Sequence, residues 1–200
     1  LMVMALPNDH TGGVRPGLPT ARAMVADNDV ALGQIVEAIS KSRFWNSTVI
    51  FVIEDDSQGG WDHVSSYRTV GMVISPWSRL HKTVRTNYNQ TSVVRSIEQI
   101  LGIPPMNIGD ATAIPMFDCF GDTPDFSPYQ PLPNQIALDE MNKNLSELKG
   151  PALHFAKRNL EPQFDHIDSG DDNLLNRIIW FATKGDKPYP VKYSGKDGDE

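Results

Sequence analysis

Apolar residues along the chain fall into two kinds of run. Short apolar blocks at 1–6, 49–53 and 70–74 lack polar alternation, the pattern of strands buried on both faces in parallel sheets. Longer stretches repeat apolar positions at three and four: Met24, Val25, Ala31, Leu32, Ile35, Val36 and Ile39 within 21–42, and Val93, Val94, Ile97, Ile100 and Leu101 within 89–101. That spacing predicts amphipathic helices. Thr20 is placed to cap the first, Thr91 and Ser92 to start the second, and Gly102 to stop it. Phe44 and Trp45 are expected to pack the end of the first helix against the sheet. The alternation predicts an α/β fold with a mainly parallel sheet flanked by helices.

Beyond residue 103 the pattern weakens. Proline, aromatics and Asp dominate 103–133, which predicts an ordered but irregular wrapping segment or a linker. Short helices are predicted over 138–148, 151–160 and 174–181, and 184–200 is polar and glycine-rich, as in a frayed tail. No internal repeat is present. The expected organisation is a domain portion over 1–123 and a mostly helical and irregular C-terminal extension over 124–200.

Charge and composition narrow the function. The 200 residues carry a net charge of -7, with no block of Lys or Arg. Nucleic-acid binding by charge is therefore not expected. No apolar stretch approaches the roughly 18 residues of a membrane span, and residues 1–6 have no basic n-region. A single cysteine, Cys119, excludes an internal disulfide framework. Set between Phe117 and Phe120, it reads as a small packed hydrophobe. Leu1 is not a methionine and opens directly in a strand-like run. The chain is accordingly expected to be the C-terminal part of a longer protein.

The chemistry gathers at the ends of the strand-like runs. The 49–53 run stops in Glu54, Asp55 and Asp56; Gly59 and Gly60 follow, then Asp62 and His63. Ligands of open α/β sheets collect beyond the carboxyl ends of strands. Carboxylates about 4 Å apart repel by roughly 4 kcal/mol at the effective dielectric of a protein surface, so a cleft that holds them together needs a cation, a shared proton or full solvation. Alone, the triplet is an ordinary acidic turn. With His63 behind it and Asp9 and His10 after the first run, a divalent metal is favoured. Asp27 and Asp29 read as solvated helix acids, Arg68 as the partner of an acid or of a phosphate, and His81, His154 and His166 as loop histidines. A calcium loop at 165–172 fails because its third ligand position is Ile167. Asp171 and Asp172 are better explained as acids at a helix N-terminus.

Together, Leu6-Pro7-Asn8-Asp9-His10-Thr11, Ala26-Asp27-Asn28-Asp29 to Gly33, Phe44-Trp45, and the run from Glu54 to Val64 followed by Val73-Ile74-Ser75-Pro76-Trp77 resemble a known family. They resemble bacterial phosphoesterases of the alkaline phosphatase superfamily, in the branch of phospholipase C and metal-dependent acid phosphatases. The likeness covers about 1–117 of the chain. It implies a partial alkaline-phosphatase-like fold and a metal-dependent hydrolase of phosphoric esters, with a small phosphate ester or a phospholipid-like molecule as substrate. Asp55 and Asp56 match the family's acidic pair, with Asp in place of its Glu, and Asp62-His63-Val64 match its second element. His10 matches a histidine of the leading loop.

The resemblance thus implies metal ligands at Asp55, Asp56, His63, His10 and Asp9, with His10 or His63 as the alternative general acid. The ion would be zinc, calcium, manganese or magnesium. The family's nucleophile is expected upstream of Leu1, which would leave this chain alone inactive, and a periplasmic or secreted location is implied. The competing functions are a sulfatase or phosphomutase of the same superfamily and a non-catalytic metal-binding domain that keeps the fold.

Overall fold

The computed structural model describes residues 1–9, 13–54, 69–166 and 170–190, with the backbone alone at Asp9 and Asp172. It divides into two compact units, one from the described parts of Leu1–Glu37 and Gln130–Glu200, the other from those of Ala38–Asp55 and Thr69–Tyr129. Among the described residues no helix is long and apolar enough to cross a membrane.

The long predicted helix is α1 (Ala21–Ser40). Thr20 starts it as expected: its carbonyl accepts the Met24 N–H at 3.0 Å and its hydroxyl the Ala23 N–H at 3.2 Å. After α1, Trp45 is buried while Phe44 stays exposed beneath the Arg43 guanidinium. Then come β1 (Ile50–Ile53) and β2 (Gly71–Ile74), adjacent as predicted.

Their pairing corrects the expected sheet. β1 and β2 run antiparallel, with Ile50 opposite Ile74 and Ile53 opposite Gly71, and they form a two-stranded sheet among the described residues. Nor are they buried on both faces: Ile53 is 47% and Met72 41% exposed. An unbroken apolar run says that a strand is not alternately solvated, but nothing about the direction of its neighbour. Residues 1–6 are a second correction, since they form no strand and Leu1, Met2, Val3 and Met4 are all exposed. Apolar character becomes a strand only where another backbone takes up the N–H and C=O groups.

The unit carrying the sheet continues into α2 (Gln90–Leu101) and the single turn α3 (Ile108–Ala111). Asn89 is the N-cap of α2: its side chain accepts the Ser92 N–H at 3.0 Å, and the Ser92 hydroxyl accepts the Asn89 N–H at 3.3 Å. Gly102 ends the helix at φ 67°, a left-handed stop that glycine adopts without a Cβ penalty. Cys119 is buried, and burial raises its thiol pKa, as fits a packed hydrophobe.

The other unit is built on α4 (Gly150–Arg158) and α5 (Asp172–Lys184). Ala156, Leu174 and Ile178 form its core with Val14, supported by Phe155 and Phe164. Asp171 caps α5 by accepting the Leu174 N–H at 2.5 Å. The helix predicted over 138–148 is reduced to a turn at Leu145–Glu147, because the preceding backbone pairs elsewhere: the Glu140 carbonyl accepts from Thr20 N–H at 2.8 Å, and Asn142 N–H donates to the Leu18 carbonyl at 2.9 Å. The expected fraying from Lys184 is likewise corrected as far as Pro190. Tyr189 is buried under Arg177, 4.3 Å from its ring, and the Trp180 indole donates to the Lys187 carbonyl at 2.8 Å.

Candidate functional site

The acidic end of β1 is defined by the hairpin that carries it. β1 closes at Ile53, opposite Gly71, and the next residue, Glu54, accepts a hydrogen bond from the Thr69 hydroxyl. The chain therefore leaves the sheet at Glu54 and re-enters it beside the same point. At the opposite end the Ser75 hydroxyl donates to the Thr48 carbonyl at 2.8 Å, and the Trp77 indole donates to the Asn46 carbonyl at 3.2 Å, which fixes the pairing register. Asp55, Asp56, Asp62, His63 and Arg68 all belong to the stretch 55–68, outside the described residues.

The leading loop can be followed to both of its ends. A short 3-10 turn, Pro7–Asp9, is tied to α1: Asn8 donates to Asp27 at 2.7 Å and Asn28 donates to the Leu6 carbonyl at 2.6 Å. Asp27, read from the sequence as a solvated acid, thus has a partner. His10 lies outside the described residues, and Asp9 is described by its backbone only.

The chain resumes at Gly13, and from there to Arg22 it is pinned by the C-terminal part of its own unit. The Asn142 amide faces the carbonyls of Gly13, Arg15 and Pro19 at 3.3, 3.1 and 3.1 Å. Asn159, 1% exposed, accepts the Val14 N–H at 2.5 Å. Its Nδ2 is buried and has no hydrogen-bond partner among the described residues. Arg15 pairs with Asp165 at 2.7 Å, and Glu140 accepts from Thr20 and Arg22, each at 2.7 Å. The Arg22 and Thr20 donors hold the Glu140 carboxyl down at about 2.

A second polar cluster lies in the sheet unit. Asp118 accepts the Thr86 hydroxyl at 2.6 Å and the Tyr88 hydroxyl as well. Burial, together with that carboxylate, pushes the Tyr88 phenol up to about 12. Among the described residues no group of three or more His, Cys, Asp and Glu could hold a metal ion. Carboxylates and imidazoles, the residue types of Asp55, Asp56, His63 and His10, bind divalent ions, and all four of these residues lie outside the described residues.

Asn142, Asn159, Glu140 and the Asn8–Asp27 bond were not foreseen from sequence. Isolated Asn and Glu in irregular segments carry no periodic signal. Gly13 and Gly17, at φ 72° and 84°, are the local marks of an unusual backbone in this segment.

No curated protein and no solved structure matches the chain. The Phosphoesterase family matches residues 20–104, from the cap of α1 through α2, which supports a phosphoesterase family and, in general terms, hydrolysis of phosphate esters.

Proposed function

We propose that the chain carries part of the site of a metal-dependent hydrolase acting on phosphoric ester bonds. The observation that carries this is the family match over 20–104, which contains Asp55, Asp56 and His63 in the excursion between β1 and β2. Asp55, Asp56 and His63 are the proposed ligands, with His10 and Asp9 contributed by the leading loop. A bound divalent ion would polarise the phosphoryl oxygen and offset the charge that gathers as the ester bond breaks.

The remaining roles belong to side chains. The paired carboxylates concentrate negative charge that would repel an anionic ester unless a cation offset it. His10 or His63, whichever stays off the metal, donates the proton to the departing oxygen; an imidazole suits that task because its ordinary pKa lies near neutrality. The substrate class is a phosphate monoester or diester, including phospholipid-like molecules.

Elemental analysis of the purified chain tests the metal reading, with an Asp55→Ala, Asp56→Ala double variant alongside. The expected result is about one or two equivalents of a divalent metal, as in one- and two-ion sites, lost in the variant. Assays with p-nitrophenyl phosphate and bis(p-nitrophenyl) phosphate then separate monoester from diester preference. Equal metal content in the two proteins would remove the acidic pair from the site.

A further inference from the structure

The stretch from Leu101 to Phe117 has its polarity turned inside out. Asp110 is its one charged residue and its one buried residue. The Asp110 carboxylate accepts the N–H groups of Met106, Asn107 and Ala111 at 2.8, 2.9 and 3.0 Å. The other polar side chains are spent on the same backbone: Asn107 accepts the Gly109 N–H at 2.7 Å, and Thr112 donates to the Ile108 carbonyl at 2.8 Å. Leu101, Ile103, Met106, Ile108, Ile114 and Phe117 are instead half or more exposed, Met106 and Ile108 to 76% and 77%. Both ends of the stretch are fastened to α2. The Ile103 N–H donates to the Glu98 carbonyl at 3.0 Å, and the Met116 N–H to the hydroxyl of buried Ser96 at 2.9 Å. The apolar side chains thus stand outward on a backbone whose polar groups are already engaged.

We propose that the 101–117 face beside α2 and α3 is a two-fold interface through which two copies of this chain pair. Concentrated apolar exposure marks a contact face, and the chemistry of the face selects its occupant. Lipid surfaces recruit Trp and Tyr at the interface and Lys and Arg for anionic headgroups, and 101–117 contains none of the four. A second copy fits better. In a two-fold interface one patch meets itself, so any net charge on it would face its own like. This patch is uncharged on its surface, on a chain whose net charge is -7. Its extent is also adequate: a standard interface takes roughly 20–30 residues from each side, and all but one of these 17 consecutive residues are at least partly exposed. Depletion of charge, with Met and Phe at the centre, is the composition of an interface core. The proposal goes beyond the hydrolase reading and does not depend on a metal.

Sedimentation velocity of the full chain, read as mass against concentration, is the test, with circular dichroism to verify helix content. The unaltered protein is expected at twice 22.2 kDa in the micromolar range, and no less so at molar salt than at low salt, because no ion pair crosses the interface. Met106→Glu and Ile108→Glu bring a carboxylate from each copy into the contact and are each expected to weaken pairing about a hundredfold. Leu132→Glu alters a side chain that is at least as exposed but lies outside the stretch, and should leave pairing within about twofold. If the glutamate variants lost helix content, Ile108→Ser, which adds no charge, carries the same test with an expected weakening of about tenfold. A chain that stays at 22.2 kDa across the concentration range would overturn the proposal. So would a dimer that folded Met106→Glu and Ile108→Glu chains form as readily as the unaltered one, or that Leu132→Glu breaks equally. A monomer that floats with phosphatidylcholine vesicles would assign the face to lipid and overturn it as well.

Discussion

The unit built on β1, β2 and α2 and the unit built on α4 and α5 are held together over different distances along the chain. In the first, the Asn89–Ser92 cap spans 3 positions, Ser75 to Thr48 spans 27 and Trp77 to Asn46 spans 31, reaching 89 where the Tyr129 N–H donates to Ser40. In the second, Thr20 to Glu140 spans 120, Asn142 to Gly13 spans 129 and Val14 to Asn159 spans 145. The family match covers α1 to α2 and so takes in the sheet, whereas the anchors Glu140, Asn142 and Asn159 lie beyond residue 104. The segment from Gly13 to Arg22 therefore depends on long-range contacts that no local pattern announces.

The contrast is tested most severely at Ile178, 1% exposed in the core with Val14. Ile178→Ala is expected to cost about 2–5 kcal/mol, the transfer term plus the cavity left behind. Val93→Ala, at 8% exposure in α2, removes two carbons and should cost about 1.5 kcal/mol at roughly 0.8 per buried methylene. Native-state amide exchange separates the two: Ile178→Ala should speed exchange in α4 and α5 while leaving α2 protected. Loss of α2 protection in that variant would mean that the units unfold as one.

At the polar anchors the expected effects are smaller. Asn142→Ala strands the carbonyls of Gly13, Arg15 and Pro19 in one step, and a half-buried polar group left unpaired costs about 1–3 kcal/mol. Asn89→Ala removes a local cap instead, which is worth about 1 kcal/mol. Urea denaturation of both variants ranks the long-range anchor against the local one. A costlier Asn89→Ala would reverse the comparison.

What could be read in advance follows the same division. α1, α2, β1, β2 and the Asp171 cap were legible because periodicity, cap residues and the stop glycine are local signals. Sheet direction was not, since an apolar run such as 49–53 is compatible with either partner orientation, and the two strands join as a hairpin across 54–70. Residues 1–6 have strand composition but no pairing partner among the described residues. The 138–148 stretch looks helical by its apolar spacing, but Glu140 and Asn142 spend their backbone and side-chain groups on 13–22 instead. Of the candidate site, the residue types at Asp55, Asp56, His63, His10 and Asp9 were legible, while the anchors behind the leading loop were not.

The smallest expected effects are in pH dependence, and they too distinguish the units. Glu140 has its carboxyl held at about 2, below the ordinary 4.5, by Arg22 and Thr20. A depressed carboxyl contributes stability that is complete above its unfolded value and is lost as pH falls from about 4.5 toward 2. Because Arg22 is largely exposed, solvent and salt weaken this contribution, and Glu140→Gln should flatten the acid limb of the α4–α5 unit only slightly. Tyr88 works in the opposite direction. Its phenol, raised from 10.0 to about 12, contributes stability that is complete below the unfolded value and is lost as pH rises through that interval. The Tyr88→Phe variant removes the proton that the folded state retains, so the alkaline loss in the sheet unit should become shallower than in the unaltered chain. Amide exchange in α2 against that in α5, followed between pH 9 and pH 12 (roughly the span set by the ordinary and raised phenol values), reads the difference. An alkaline limb equally steep in both proteins would show that the Tyr88–Asp118 hydrogen bond does not couple to folding.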